Sequence, residues 1–288
     1  MTVKITSFPL DVGRIHHLGV TQYHPETTLK KVLLISSATA VNQEYYKKFA
    51  HFCAEKGLIT YTFDYSGFGG SGNETTYLKK HKDGVMGWGA IDQAAMVRLI
   101  KERHPDFGIV LVTHSIGGQV IGFNSQNTAF EKIVTVASQS GFWKTYHGID
   151  RLRLWLFWYF FIPFFTPIFG YYPGRIIGIV DNLPKSVVVQ WRSWGVKKDY
   201  FMHYHSKEDY FFDKVRCPIK MYSFTKDPFA SKAGVDWLAD QFPNAQIERI
   251  HYDKNPSGKT PGHFGFFKSA FKEDFWIPTI EWLLDNGT

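Results

Sequence analysis

Apolar positions along the chain alternate between two periods. KVLLISS (31–37) is a short, nearly continuous apolar run, the pattern of a strand covered on both faces. QEYYKKFAHFCAEKG follows, with Tyr45, Phe49, Phe52 and Cys53 at helical spacing, and stops at Gly57, a residue suited to ending a helix. LITYTFDYSGFGGSG is then a strand running into a glycine-rich turn, and a helix is predicted from about Trp88 to Arg103. Strand GIVLVT, a helix after Ser115 carrying Val120, Ile121 and Phe123, and strand IVTVA (133–137) continue the rhythm. At the N-terminus, Val3 to Phe8 and Ile15 to Tyr23 suit a hairpin. This alternation predicts an α/β fold, a mostly parallel sheet with helices on both faces. The rhythm breaks between about Gly141 and Val215 and resumes with CPIKMYSFT, FASKAGVDWLADQF, AQIERIHY and a C-terminal helix near Glu273 to Leu284. The expected organisation is a core in two parts, 1–140 and 216–288, interrupted by a cap or lid insertion, 141–215.

Composition narrows the class. The net charge is +7 and the pI about 9.2, but the lysines are scattered and form no basic stripe interleaved with aromatics, so nucleic acid is not an expected partner. Cys53 and Cys217 lie far apart and form no C-x-x-C, consistent with reduced thiols in a cytoplasmic protein. The N-terminal MTVKITSFPLD has no apolar core of a secretory signal.

The candidate chemistry sits in VLVTHSIGGQV (110–120). A strand, Ser115 and a helix make the setting of a nucleophile elbow, in which small residues are needed where helix and strand crowd. Gly117 and Gly118 supply them, whereas Thr113 stands where the pattern expects glycine. A serine capping the helix would be the plain alternative. A nucleophilic serine needs a base, and the base an orienting acid, in the chain order Ser, Asp or Glu, His. Asp227 in SFTKDPFAS, after a predicted strand, and His263 in PGHFGFF, after the last one, fit that order. Asp253 precedes a lysine in a polar turn, and His251 lies inside a strand, so neither is preferred; His114 is assigned to packing. Backbone N–H donors for an oxyanion are expected at Ile116, directly after the serine, and at Thr39 in SATAVNQ, with Ala38 and Ala40 as neighbours.

THSIGG, FDYSGFGGSG, TKDPFA and GHFGFF together make the chain resemble the α/β-hydrolase superfamily over essentially its whole length. Within it the chain is most similar to a branch of predicted serine hydrolases with a D-Y-x-G-x-G-x-S turn, an aromatic-rich cap and a G-H-x-G-F-F ending. The resemblance implies an eight-stranded core, an inserted helical cap and the triad Ser115–Asp227–His263. It leaves the substrate open among carboxylic esters, lactones (acyl-homoserine lactones included), thioesters and peptides. The aspartate-nucleophile dehalogenases and epoxide hydrolases are disfavoured by Ser115.

LWLFWYFFIPFFTPIFGYY (154–172) has the length of a bilayer span, for which about twenty apolar residues suffice. Pro163 and Pro167 would each cost about 3 kcal/mol inside a helix. A single crossing would also part Ser115 from Asp227 and His263. The segment is therefore expected to roof the site, with Trp155, Trp158 and Phe161 contacting substrate, or to make peripheral membrane contact. No acid occurs in 151–180 to hold a peptide's ammonium, which favours a hydrophobic acyl group. HYHSKED (203–209) offers His203, His205 and Asp209, but it lacks the closing aspartate-histidine of a metallo-lactonase, so no metal is expected. GFGGSG (67–72) lacks a P-loop lysine and is expected to be a tight turn. The expectation is thus a cofactor-free serine esterase or lactonase. The alternatives are a hydrolase fold kept for binding, and a peptidase or acyltransferase.

Overall fold

In the computed structural model, residues 2–177, 181–204, 206–255 and 258–285 are described. Strands β1 (Val3–Leu10), β2 (Leu18–Pro25), β3 (Lys31–Ser36), β4 (Ile59–Phe63), β5 (Gly108–His114) and β6 (Phe130–Val136) precede a long interruption. A small antiparallel pair within it, β7 (Tyr171–Tyr172) and β8 (Leu183–Pro184), is followed by β9 (Ile219–Phe224) and β10 (Ile247–Tyr252). The main sheet has eight strands in the order β1-β2-β4-β3-β5-β6-β9-β10. β1 and β2 form the expected hairpin, β2 meets β4 antiparallel, and the remaining pairs are parallel.

Side chains on a strand alternate between faces, so a continuous apolar run needs cover on both. In β3, Val32 and Leu34 join a cluster with Trp88, Leu111 and Met221, while Leu33 and Ile35 join a second one with Phe49, Val112 and Trp276. Helices α1 (Lys47–Glu55), α2 (Ala94–Arg103) and α3 (Ile116–Gln119) follow β3, β4 and β5. Gly57, just past α1, has φ +92, the left-handed conformation that ends the helix there.

Between β6 and β9 the chain forms one continuous 22-residue helix, α4 (Gly148–Phe169), and then α5 (Lys185–Gly195). The two prolines do not break α4. A wider π turn at Phe157–Phe161 precedes Pro163 and includes Tyr159, whose carbonyl a proline four residues later cannot use. Gly170, with φ +77, caps the far end. Helices α6 (Lys232–Ala239) and α7 (Ile277–Leu284) complete the sheet's cover, α7 entered through a π turn at Lys272–Trp276.

The parallel register decides where the chemistry can sit. Ser36 pairs with Thr113, Thr113 with Thr135, and Val136 with Tyr222. The segments leaving β3, β5, β6 and β9 therefore all emerge at one edge of the sheet.

Candidate active site

Ser115 directly follows β5 and has φ 53, ψ −115, a conformation costly for any residue with a side chain. Its N–H donates to the carbonyl of Val136 at the end of β6 (2.9 Å), and its own carbonyl accepts from Gly118 N–H (3.2 Å). The turn is tight enough to require both glycines. A Cβ on Gly117 would stand 2.6 Å from the carbonyl oxygen of Ser36, and one on Gly118 only 2.4 Å from Ser138 Oγ and 3.2 Å from Thr113 Oγ1. Thr113 fits because the residue opposite it, Gly118, has no side chain.

Asp227 lies in the loop after β9, where Lys226 has φ 60. Its Oδ1 accepts from the backbone N–H groups of Phe229 (2.8 Å) and Ala230 (2.9 Å), which fixes the carboxylate. That loop is itself held: the carbonyl of Phe229 accepts from Tyr146 Oη (2.7 Å) and Gln139 Nε2 (2.8 Å). His263 Nδ1 lies 2.9 Å from Asp227 Oδ2 and 3.1 Å from Oδ1. A carboxylate only accepts, so Nδ1 carries a ring proton and Nε2 is the nitrogen turned away from Asp227. Ser115, Asp227 and His263 are all buried, at 7%, 8% and 6% exposure.

His114, one residue before Ser115, joins these loops. Its ring centroid is 4.9 Å from that of His263, and its Nε2 lies 3.0 Å from the His263 carbonyl oxygen. That carbonyl can only accept, so the proton of His114 is on Nε2, and Nδ1 accepts from Tyr46 Oη (2.8 Å). The Tyr46 oxygen in turn accepts the N–H of Ala38 (2.9 Å). Burial, and then the nearby His263, hold His114 well below the usual imidazole pKa, so the ring is neutral. Packing alone therefore understates His114. It ties the segment after β3, the serine turn and the histidine loop together.

Of the backbone donors, Ala38 N–H is taken by Tyr46, whereas the amides of Thr39 and Ile116 donate no hydrogen bond to another described residue. Thr39 Oγ1 is likewise buried without a partner among the described residues. The glycine-rich turn stabilises the same edge from the side. Asp64 Oδ1 accepts from Gln43 N–H (2.7 Å), Asp64 Oδ2 from Gly70 N–H (2.8 Å), and Ser71 Oγ donates to the Asp64 carbonyl (2.6 Å).

The aromatic residues expected at the substrate divide. Trp158 is wholly buried and donates its indole N–H to the carbonyl of Gly141 (3.0 Å). Trp155 stacks on Tyr159 at the outer surface, and Phe161, partly buried, stacks on Phe165. Besides His114, the rings against His263 are Phe264 (5.0 Å between centroids) and the half-exposed Phe229 (5.3 Å). Neither was singled out from sequence, although both flank the acid and histidine motifs. The rival His251 bonds to Ser223 Oγ on β9 (2.9 Å), and Asp253 is exposed. In HYHSKED, Asp209 accepts from Ser206 N–H (2.9 Å), and His205 lies outside the described residues.

This sheet order, with its crossovers and its strand–serine–helix turn, is the α/β-hydrolase fold. More particularly, residues 27–160, just under half of the chain, match the family described as serine aminopeptidase, S33. Solved structures agree over nearly the full length. A thermostable carboxyl esterase from Bacillus coagulans in complex with glycerol is 13% identical, with 98% of each chain covered and a TM-score of 0.67. A soluble variant of the monoglyceride lipase of Saccharomyces cerevisiae in complex with a substrate analogue is 9% identical over 98% of this chain and 94% of that one, TM-score 0.69. An esterase from Pyrococcus furiosus is 14% identical over 98% and 91%, TM-score 0.62. No curated protein matches by sequence.

Proposed function

We propose that the chain is a serine hydrolase that cleaves a carboxylic ester, lactone or thioester with a hydrophobic acyl part. The observation that carries this reading is the strained Ser115 turn at the same sheet edge as the His263–Asp227 pair. His263 Nε2 takes the proton of Ser115 Oγ as that oxygen adds to the substrate carbonyl carbon. Asp227, acceptor of the Nδ1 proton, stabilises the imidazolium that forms. The Ile116 and Thr39 amides take up the oxyanion, each worth about 2.7–4 kcal/mol in comparable sites. The imidazolium returns its proton to the leaving oxygen or sulfur, the C–O or C–S bond breaks, and an acyl-enzyme remains. A water molecule, deprotonated by His263, then releases the acid and restores Ser115.

The segment between β6 and β9 serves as a cap, with Trp158 anchoring it at Gly141 rather than touching substrate. Phe229 and Phe264, beside His263, supply apolar surface for the substrate. The absence of acids from 151–180, together with the esterase and lipase structures that share the fold, favours an ester over a peptide. Labelling with a fluorophosphonate and turnover of a p-nitrophenyl ester series test the proposal. Ser115→Ala should abolish labelling and lower turnover by at least about 10⁴-fold. Turnover equal to that of the unaltered protein would refute it.

A further inference from the structure

A helix on the surface of a globular protein normally turns its apolar stripe inward and a polar one to water. Helix α4 is apolar on both sides. Its inner face is seated, with Trp158, Ile162 and Thr166 buried, yet only 17% of its most apolar stretch is covered. Leu152, Trp155, Tyr159, Phe160, Phe164 and Ile168 follow one another at spacings of one to four residues on the outer face, from 39% to 64% exposed. No charged residue occurs from Leu154 to Gly174. Soluble monomers rarely expose a continuous apolar patch of more than a few hundred Å².

Charge surrounds this stripe at both ends. Arg151 and Lys144 lie over the Trp143 ring near the N-terminal end, where Arg153 pairs with Asp150 (3.4 Å) and leaves the other two cations in excess. Exposed Lys79 runs against Gly170 at the other end. A second copy of the chain would suit such a face badly, because parallel or antiparallel pairing sets cation against cation. Spanning a bilayer would require the inner face to peel away, breaking the Trp158–Gly141 bond and the one from Arg192 Nε to the Trp158 carbonyl (2.6 Å). A helix lying in the plane of a lipid–water interface meets neither objection. Its outer rings enter the acyl boundary, Trp155 and Tyr159 sit at headgroup depth, and the terminal cations face phosphates.

We propose that α4 docks the protein flat on an anionic lipid surface. The proposal does not depend on the hydrolase reading, since it uses none of the residues of the candidate active site. Co-sedimentation of the full chain with phosphatidylcholine vesicles, with and without phosphatidylserine, tests it. The unaltered protein and Ser115→Ala should both pellet with the anionic vesicles, and raised salt should weaken the association. A triple variant, Phe160→Ser with Phe164→Ser and Ile168→Ser, should partition at least about a hundredfold more weakly while keeping its melting temperature, because all three side chains face outward. Lys144→Glu with Arg151→Glu should lose the preference for phosphatidylserine, a control that leaves the apolar face intact. The proposal fails if the unaltered protein stays in the supernatant. It fails equally if the folded triple variant pellets as well, or if the stripe instead closes a lipid-free dimer that no longer binds vesicles.

Discussion

The hydroxyl of Tyr46 does two things at once, accepting the Ala38 N–H and donating to His114, whose far side holds the His263 carbonyl. Tyr46→Phe removes both bonds and leaves the ring packing in place. A bond of about 1–1.5 kcal/mol that orients the reacting loops converts to roughly a tenfold lower kcat. KM should change little; a rise in KM at constant kcat would instead show that Tyr46 only shapes binding. Phe229 should behave in the opposite way. Its half-exposed ring lies beside His263, so Phe229→Ala should raise KM for apolar esters about tenfold, the equivalent of about 1.4 kcal/mol of lost burial, in a substrate-length series. An unchanged KM across the series would remove Phe229 from the substrate's path. At this scale the sequence was legible where local pattern suffices. Ser115, Asp227 and His263 each follow a strand, and the structure brings the latter two to hydrogen-bonding distance. The Tyr46–His114 contact was not legible, because it joins buried polar groups 68 positions apart.

Elements carry a different constraint, the room between strand and helix. Gly117→Ala would drive a Cβ to 2.6 Å from the Ser36 carbonyl oxygen, a backbone atom that cannot rotate away. The expected cost is about 1–3 kcal/mol of folding stability, read from urea unfolding, and a midpoint equal to that of the unaltered protein would contradict it. The central strands were legible because they are short, largely apolar runs bounded by turn signals, and their helices because the apolar positions repeat. A helical cap was expected from the resemblance, but a single helix running unbroken through 148–169 was not legible in the local pattern. Pro163 and Pro167 argue locally against one, and the π turn that accommodates Pro163 contains Trp158, itself held at the Gly141 carbonyl. Packing decided what propensity opposed.

In the whole molecule, one buried polar network links the core to the segment between β6 and β9. Arg14 bonds to Asp92 and to Ser66 Oγ (2.6 Å), Ser66 Oγ meets His81 Nε2 (3.0 Å), and His81 Nδ1 meets Ser186 Oγ at the start of α5 (2.9 Å). Burial first, and Arg14 second, lower the pKa of His81 to about 4. The folded state thus refuses a proton that the unfolded chain accepts below about 6.5, so this contribution, up to about 3 kcal/mol, is complete above that pH and is lost as pH falls towards 4. Asp92, which burial raises to about 6 against the pull of Arg14, works with the opposite sign between about 4 and 6. Urea midpoints from pH 7 to pH 4 should therefore fall less steeply for His81→Gln than for the unaltered protein; parallel curves would rule His81 out. The topology was legible at this scale, whereas the network was not, since nothing in composition marks which polar residues end up inside. The bare outer side of α4 also governs how the protein behaves in the hand. With no amphiphile present, its rings will settle on plastic, air bubbles or neighbouring copies, so apparent specific activity should drop on dilution and recover when a mild detergent is added.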